Sequence, residues 1–340
     1  MTPARTVNWA HPVACCLVAV TGVLLTFGAM VTTYEAAMAV PDWPATYGHN
    51  MFLFPWAEWF YGPWDLFLEH GHRLLGALVG LITLALAAIV WRTSQPTAVR
   101  SLAVAAVVLV VVQGGLGGLR VLLDDKTIAK GHACTGPLFF AVAVALATLT
   151  SRVGQRADMS RLTGQGGLAA WLTRLLLLAA YVQLVAGAQL RHLDAAVGPA
   201  TFRWLVVLHL IGALAVTVLS LAAAAEAFGW IGTGTSTGTG RRWWAAGIVG
   251  LVSGQVVLGC AAWVVSWGLP LGLLPDRLAA AFPEPSAVVV ARSGGSAAIV
   301  TGHVLLGMLI LASSVVLCIV SGGLSQAADV RLPAGRRAVA

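Results

Sequence analysis

Apolar residues run in blocks of about 20, long enough to cross a hydrocarbon core of roughly 30 Å as α-helices. Eight such blocks follow one another, near residues 13–34, 70–90, 101–119, 132–150, 171–190, 204–225, 243–267 and 298–320. The pattern predicts an all-α integral membrane protein with eight transmembrane helices. An even number of crossings puts both termini on one side. The first block follows an Arg-containing start, but its apolar run is longer than that of a signal peptide and no small-residue cleavage site follows it, so it is expected to stay as a helix.

The polar intervals between the blocks organise the chain. Residues 151–167 (SRVGQRADMSRLTGQGG) are Arg-bearing and Gly-rich and divide the helices four and four. The expected organisation is two pseudo-symmetric four-helix bundles, over residues 1–150 and 171–325, joined by a cytoplasmic linker at 151–170 and followed by a cytoplasmic tail at 326–340. Residues 229–240 (GWIGTGTSTGTG) read as a flexible loop on the same side as the linker. The connections 35–69 and 268–297 lie on the other side and are rich in Trp and Pro.

Composition sharpens this reading. Of 340 residues 59 % are hydrophobic and only 10 % are charged, against about 25 % charge in an average soluble domain. An ordinary soluble enzyme is excluded. The net charge of +7 would suggest nucleic acid in a soluble protein, but here it sorts by membrane side. Twelve of the 20 basic residues (Arg5, Arg92, Arg100, Arg152, Arg156, Arg161, Arg174, Arg241, Arg242, Arg331, Arg336 and Arg337) fall on the side of the termini, with only Asp158, Glu226 and Asp329 among the acids. The positive-inside rule makes that side cytoplasmic and leaves no role for nucleic acid.

The two halves resemble each other position by position. Gln113 and Gly117 in the third segment match Gln255 and Gly259 in the seventh, and Gly28-Ala29 in the first matches Gly187-Ala188 in the fifth. His72 matches His209, and His132 matches His303. Both halves start on the same side, which describes a parallel repeat about an axis along the membrane normal. Gly76, Gly80, Gly114 and Gly118 are small residues expected to let helices approach closely.

The chemistry follows from these histidines. His72, His132, His209 and His303 occupy equivalent outer-leaflet positions, one on each even-numbered helix. Ionisable groups inside a membrane are costly and mark function by default. A facing pair of imidazoles within a four-helix bundle can ligate one heme iron from both sides, so two halves offer two sites. No C-x-x-C-H motif occurs, so such a heme is held without thioether bonds. Two imidazoles per half, with no Cys or second carboxylate beside them, are a poorer set for zinc. His70 points about 200° away from His72 around a helix and ranks below it, while His11, His49 and His192 fall at segment ends or in loops and are expected to be solvated.

The halves are not equal. Glu69 stands three residues before His72, on the same helix face, whereas Val206 holds the equivalent place before His209. This asymmetry points to a reactive site in the first half and an electron-transfer site in the second. The alternative for Glu69 is a solvated carboxylate in a first turn. Basic residues near the outer helix ends, Arg73, Arg120, Lys130, Arg203 and Arg292, are candidate partners for propionates, with Arg73 and Arg120 preferred and interfacial snorkelling as their alternative. Gln113 and Gln255 are read as helix-to-helix hydrogen bonders.

The outer loop MAVPDWPATYGHNMFLFP, the stretch EHGHRLLGALVG, the segment VVQGGLGGLRV and the four spaced histidines together resemble the heme A synthase family. The likeness covers nearly the whole chain and is most specific in its first half. It implies an oxidoreductase that converts the C8 methyl group of heme O to a formyl group, supplying heme A to cytochrome oxidase. It further implies that Glu69 is the essential carboxylate, that His72 and His132 hold the heme O substrate, and that His209 and His303 hold a permanent heme b. The implied partners are membrane lipid, the farnesylating synthase that makes heme O, and an unidentified electron acceptor. The implied location is a bacterial plasma membrane, with both termini cytoplasmic. Oligomeric state stays open between monomer and homo-oligomer.

One departure matters, because some members of that family carry a cysteine pair in the first outer loop. Here residues 35–69 contain none, and Cys15, Cys16, Cys134, Cys260 and Cys318 all lie in apolar segments as small packing residues. A mechanism needing an outer-loop thiol is excluded. Two other classes stay open at this point. A diheme b-type electron-transfer cytochrome would use four histidines but leave Glu69 unexplained, and a non-enzymatic heme carrier or assembly factor would tolerate its loss.

Overall fold

A computed structural model describes residues 9–152, 154, 167–193, 197–232, 239–268 and 293–323. Most of the inter-bundle linker, the Gly- and Thr-rich stretch 233–238, most of the second long outer connection with Arg292, and the tail 326–340 lie outside the described residues.

The described chain is helical: α1 (Ala10–Thr33), α2 (Trp56–Tyr61), α3 (Trp64–Arg92), α4 (Thr97–Leu122), α5 (Lys126–Thr150), α6 (Leu168–Arg191), α7 (Pro199–Ala227), α8 (Thr239–Trp267) and α9 (Gly294–Gly323). All but α2 are long and apolar enough to cross a membrane, giving eight spans among the described residues. There is no strand among them, only an isolated bridge between Thr46 and His49. The chain is a multi-pass membrane protein.

Local chemistry sets the helix ends. Pro63 and Pro96 precede α3 and α4 with fixed φ, Pro199 opens α7, and the Asp125 carboxylate caps α5 by accepting from Ile128 N–H at 2.8 Å. Within the spans, threonine hydroxyls donate to carbonyls one turn back, as Thr26 does to Gly22 and Thr83 to Val79. Such bonds keep these hydroxyl donors from facing hydrocarbon unpaired. The helices outrun the apolar blocks by a few residues at most ends, because their outer turns are built from polar and aromatic residues such as Trp64, Asp65, Lys126 and Lys130. The short aromatic helix α2 has no counterpart in the hydropathy pattern.

In the first half α1 packs on α3, α3 on α4, α4 on α5 and α5 back on α1. In the second, α6, α7, α8 and α9 close the same ring. This arrangement is compatible with two pseudo-symmetric four-helix bundles. The halves meet through α1 and α5 on one side and α6 and α9 on the other, and α5 and α9 are the most buried spans. Polar contacts cross this seam. Arg191 at the end of α6 donates to Ala29 O and Thr33 Oγ1, both at 2.5 Å, and the Tyr181 hydroxyl donates to Cys134 O at 3.2 Å.

Two expectations about small groups need correction. A Cβ at Gly76, Gly80 or Gly114 would meet nothing within 4 Å, so these glycines are not points of close helix approach. Gly118 is close-packed, but against the Trp43 ring of the outer loop rather than a helix, with atoms 2.4–2.7 Å from where its Cβ would stand. His11 is also not simply solvated. Its Nδ1 lies 3.0 Å from Ala147 O and ties the inner ends of α1 and α5 together.

Candidate functional site

The four histidines come together as two pairs. His72 on α3 faces His132 on α5 with ring centres 6.3 Å apart, and His209 on α7 faces His303 on α9 at 6.4 Å. An iron bonded on both sides at about 2 Å, with roughly another 1 Å from each nitrogen to its ring centre, asks for centres about 6 Å apart. The separation of both pairs matches that of two imidazoles on one heme iron.

Each imidazole is seated on a glycine of a neighbouring helix. A Cβ at Gly28 on α1 would stand 3.0 Å from His72 Cε1. The same construction gives 3.2 Å from Gly117 on α4 to His132, 3.2 Å from Gly187 on α6 to His209, and 3.1 Å from Gly259 on α8 to His303. These are the glycines that the internal repeat brings into register, so the repeat has a physical meaning: even a Cβ there would press on the ring, and a larger side chain would displace it. The Nδ1 atoms of His72, His132 and His303 are buried with no hydrogen-bond partner. The backbone of Leu24, Gln113 and Gln255, one turn before the seating glycine in each case, faces these rings. A main-chain carbonyl at that place is a usual orienting neighbour for a metal-bound imidazole.

Glutamines brace this arrangement. Gln113 Nε2 donates to His132 O at 3.2 Å, and Gln255 Nε2 lies 3.5 Å from His303 Nε2. The helix-to-helix role expected for both therefore falls directly on the histidines. A third glutamine escaped the sequence reading. Gln183 Nε2 donates to His209 O at 2.9 Å and lies 3.2 Å from its Nδ1. The signal was present, because Gln183 stands four residues before Gly187 just as Gln113 and Gln255 precede Gly117 and Gly259.

The first pair alone has a carboxylate beside it. Glu69 is 2 % exposed and lies in the second turn of α3, which removes the reading of a solvated first-turn residue. Its Oε2 accepts from Val40 N–H at 3.0 Å and its Oε1 from Arg73 at 2.9 Å. Arg73 also donates to Val40 O at 2.7 Å, Asp42 O at 2.6 Å and Ala45 O at 2.9 Å. The four terminal N–H bonds of Arg73 are thereby used inside the protein. Its place among the candidate propionate partners gives way to a clasp on the first outer loop. That loop is pinned elsewhere too. Thr46 Oγ1 lies 3.0 Å from His70 Nδ1, with the His70 ring between Phe54 and Trp59, so His70 anchors the loop on the far side of the helix from His72. Burial pushes the Asp42 carboxyl up, but main-chain N–H groups of Gly48 and Tyr47 and the charge of Arg73 outweigh it and hold the group below its usual range.

Arg120, near the end of α4, is close enough to Glu69, His72, His132 and Arg73 to act on all of them electrostatically. Lys130, Arg120 and Arg191 surround His192 at the end of α6. His192 is half-buried rather than solvated; burial, then these neighbouring cations, push its pKa down to about 4. Arg203 is exposed and joins neither group.

Residues 64–205 match the model of the COX15-CtaA family, described as cytochrome oxidase assembly protein. A heme A synthase from Symbiobacterium thermophilum is 32 % identical over 179 residues, covering 50 % of this chain and 55 % of that protein. The chain thus spans about half the length of the curated relative it matches. The family match takes in Glu69, His72, Arg73, Arg120 and His132 and stops short of His209. Over that part of its length, which includes the first histidine pair, the chain is similar to a cytochrome oxidase assembly family and to a heme A synthase.

Proposed function

We propose that this protein converts heme O to heme A by oxidising the C8 methyl group to a formyl group, for use in cytochrome oxidase assembly. The observation that carries this reading is the asymmetry of two otherwise matched sites. Both pairs have iron-ligating spacing, and only the first has a buried carboxylate three residues before a ligand. A pure electron-transfer cytochrome has no use for that carboxylate.

In this reading His72 and His132 hold the iron of the heme O substrate, and His209 and His303 hold heme b. Bound heme b supplies one-electron transfer toward an acceptor. The chain's own groups do the rest. Glu69, with both oxygens fixed by hydrogen bonds, presents a desolvated carboxylate where positive charge develops as electrons leave the porphyrin methyl, and it can receive a proton from that carbon. Arg120, near the pair and not tied down as Arg73 is, suits a propionate. The clasped loop lies over this end of the first bundle, with the Trp43 ring on Gly118 of α4. The protein then sits in a bacterial plasma membrane with its Arg-rich face and both termini cytoplasmic. It takes heme O from the farnesylating synthase within the lipid.

The deciding experiment is extraction and chromatographic identification of non-covalent heme from protein produced with and without a heme O supply. Heme b together with heme O or its oxidised products is the expected result. Two equivalents of heme b, unchanged by heme O, would overturn the proposal in favour of a diheme cytochrome.

The glycine seats give a second expected outcome. Gly28→Leu or Gly117→Leu should empty the first site only, and Gly187→Leu or Gly259→Leu the second only, each removing about half of the bound heme of the fully loaded protein. A pyridine hemochrome assay against protein concentration measures this. Full heme content in all four variants would show that the glycines do not seat the ligands.

A further inference from the structure

Three of the four helix pairs that seat an imidazole interlock in both directions. On α4 and α5, His132 sits on Gly117 while Gln113, four residues earlier, reaches back to Gly136, its Nε2 standing 3.0 Å from where a Cβ would be. On α8 and α9, His303 sits on Gly259 and Gln255 reaches to Gly307 at 3.3 Å. On α6 and α7, His209 sits on Gly187 and Gln183 fills the notch at Gly212 at 2.1 Å. Gln113 and Gln183 also donate to the main-chain oxygens of His132 and His209, and Gln183 and Gln255 lie 3.2 Å and 3.5 Å from the rings of His209 and His303. The Oε1 atoms of all three are buried with no partner. Three matched amides, each with an unpaired oxygen, are costly in a membrane interior, and packing alone does not call for them.

The pair α1 and α3 departs from this pattern. Leu24 stands four residues before Gly28, where the other three helices carry glutamine, and nothing lies within 4 Å of a Cβ at Gly76, four residues after His72. The helices themselves are close here, with Phe27 packed on Gly71. What is missing is local to the imidazole. The helix segment that carries each braced histidine is tied to its neighbour by a glutamine amide, whereas the segment that carries His72 has no such glutamine tie.

We propose that His72 is the exchangeable ligand of the first pair and His132 its fixed ligand, while both ligands of the second pair are fixed by glutamine. Leu24 and Gln183 are then positioning residues that set how fast each site lets its heme go. This rests on the proposed function, in which the first pair holds a substrate that must arrive and leave and the second holds a resident cofactor.

The test uses full-length protein in detergent, loaded with ferric heme b at both pairs and mixed with excess apomyoglobin, which captures released heme. The expected result is two phases, with the first pair emptying at least ten-fold faster than the second. Leu24→Gln, filling the open notch at Gly76, should slow the fast phase several-fold, and Gln183→Leu should speed the slow phase. His72→Ala should keep heme at the first site through His132, in a form that binds carbon monoxide when reduced, whereas His132→Ala should empty that site. Equal release from both pairs, or a fast phase untouched by Leu24→Gln with a slow phase untouched by Gln183→Leu, would overturn the proposal. If Leu24→Gln fails to fold, Gln183→Leu decides it. A wild-type protein that never takes up heme at the first pair would instead overturn the functional reading beneath it.

Discussion

Replacing Glu69 by Gln is expected to stop heme A formation, by about 100-fold or more, while both sites keep their heme. The magnitude is that of a lost proton-transfer or charge-stabilising group. Gln keeps the volume and one acceptor oxygen for Val40 N–H, and Arg73 keeps its three loop carbonyls, so the carboxylate charge lost beside Arg73 should cost stability without releasing the loop. What the amide cannot do is carry negative charge or take a proton beside the first pair. The reading needs product analysis and heme content from the same preparation. Unchanged heme A yield with both sites loaded would remove Glu69 from the chemistry. Loss of the first-site heme along with activity would make Glu69 a binding group instead of a reactive one.

The sequence already carried much of this site, and the residues show why. Blocks of about 20 apolar residues specify spans almost without regard to tertiary context, so the eight helices and the outer-leaflet depth of His72, His132, His209 and His303 could be read directly. Helix periodicity put Glu69 on the face of His72, and His70 on another, where it holds the loop through Thr46. What could not be read were contacts made by groups far apart in the chain. Nothing local says that Val40 N–H will point at Glu69 or that Arg73 will spend its donors on three loop carbonyls. His192 looked like a solvated segment end because its cationic neighbours come from α4 and α5 as well as α6. Gly118 looked like a helix contact because the loop that brings Trp43 onto it has no periodic signal. Gln183 is a different case, since its spacing to Gly187 was visible and its two equivalents had been singled out.

Arg73→Leu is expected to release the first outer loop and to lower heme A formation by about 100-fold, through position and not through direct chemistry. Arg73 is 8 % exposed and Glu69 2 %, and removing one partner of a buried pair typically costs about 3–5 kcal/mol because the other charge is left uncompensated. Here the loss is larger in scope than one pair. The carbonyls of Val40, Asp42 and Ala45 lose their donor together with Glu69, and no cysteine in residues 35–69 can hold the loop in its place. Amide hydrogen exchange over residues 38–48 should therefore speed up sharply, while the second pair, in the other bundle, keeps its heme b. Arg73→Lys should fall between the two, because an ammonium can still face Glu69 but cannot serve three carbonyls and a carboxylate at once. Fast exchange with full activity would separate the loop from catalysis, and slow exchange in Arg73→Leu would show that the clasp does not hold the loop. Fast exchange with lost activity, set beside a Glu69→Gln protein whose loop stays protected, would separate the residue that acts from the residue that places it.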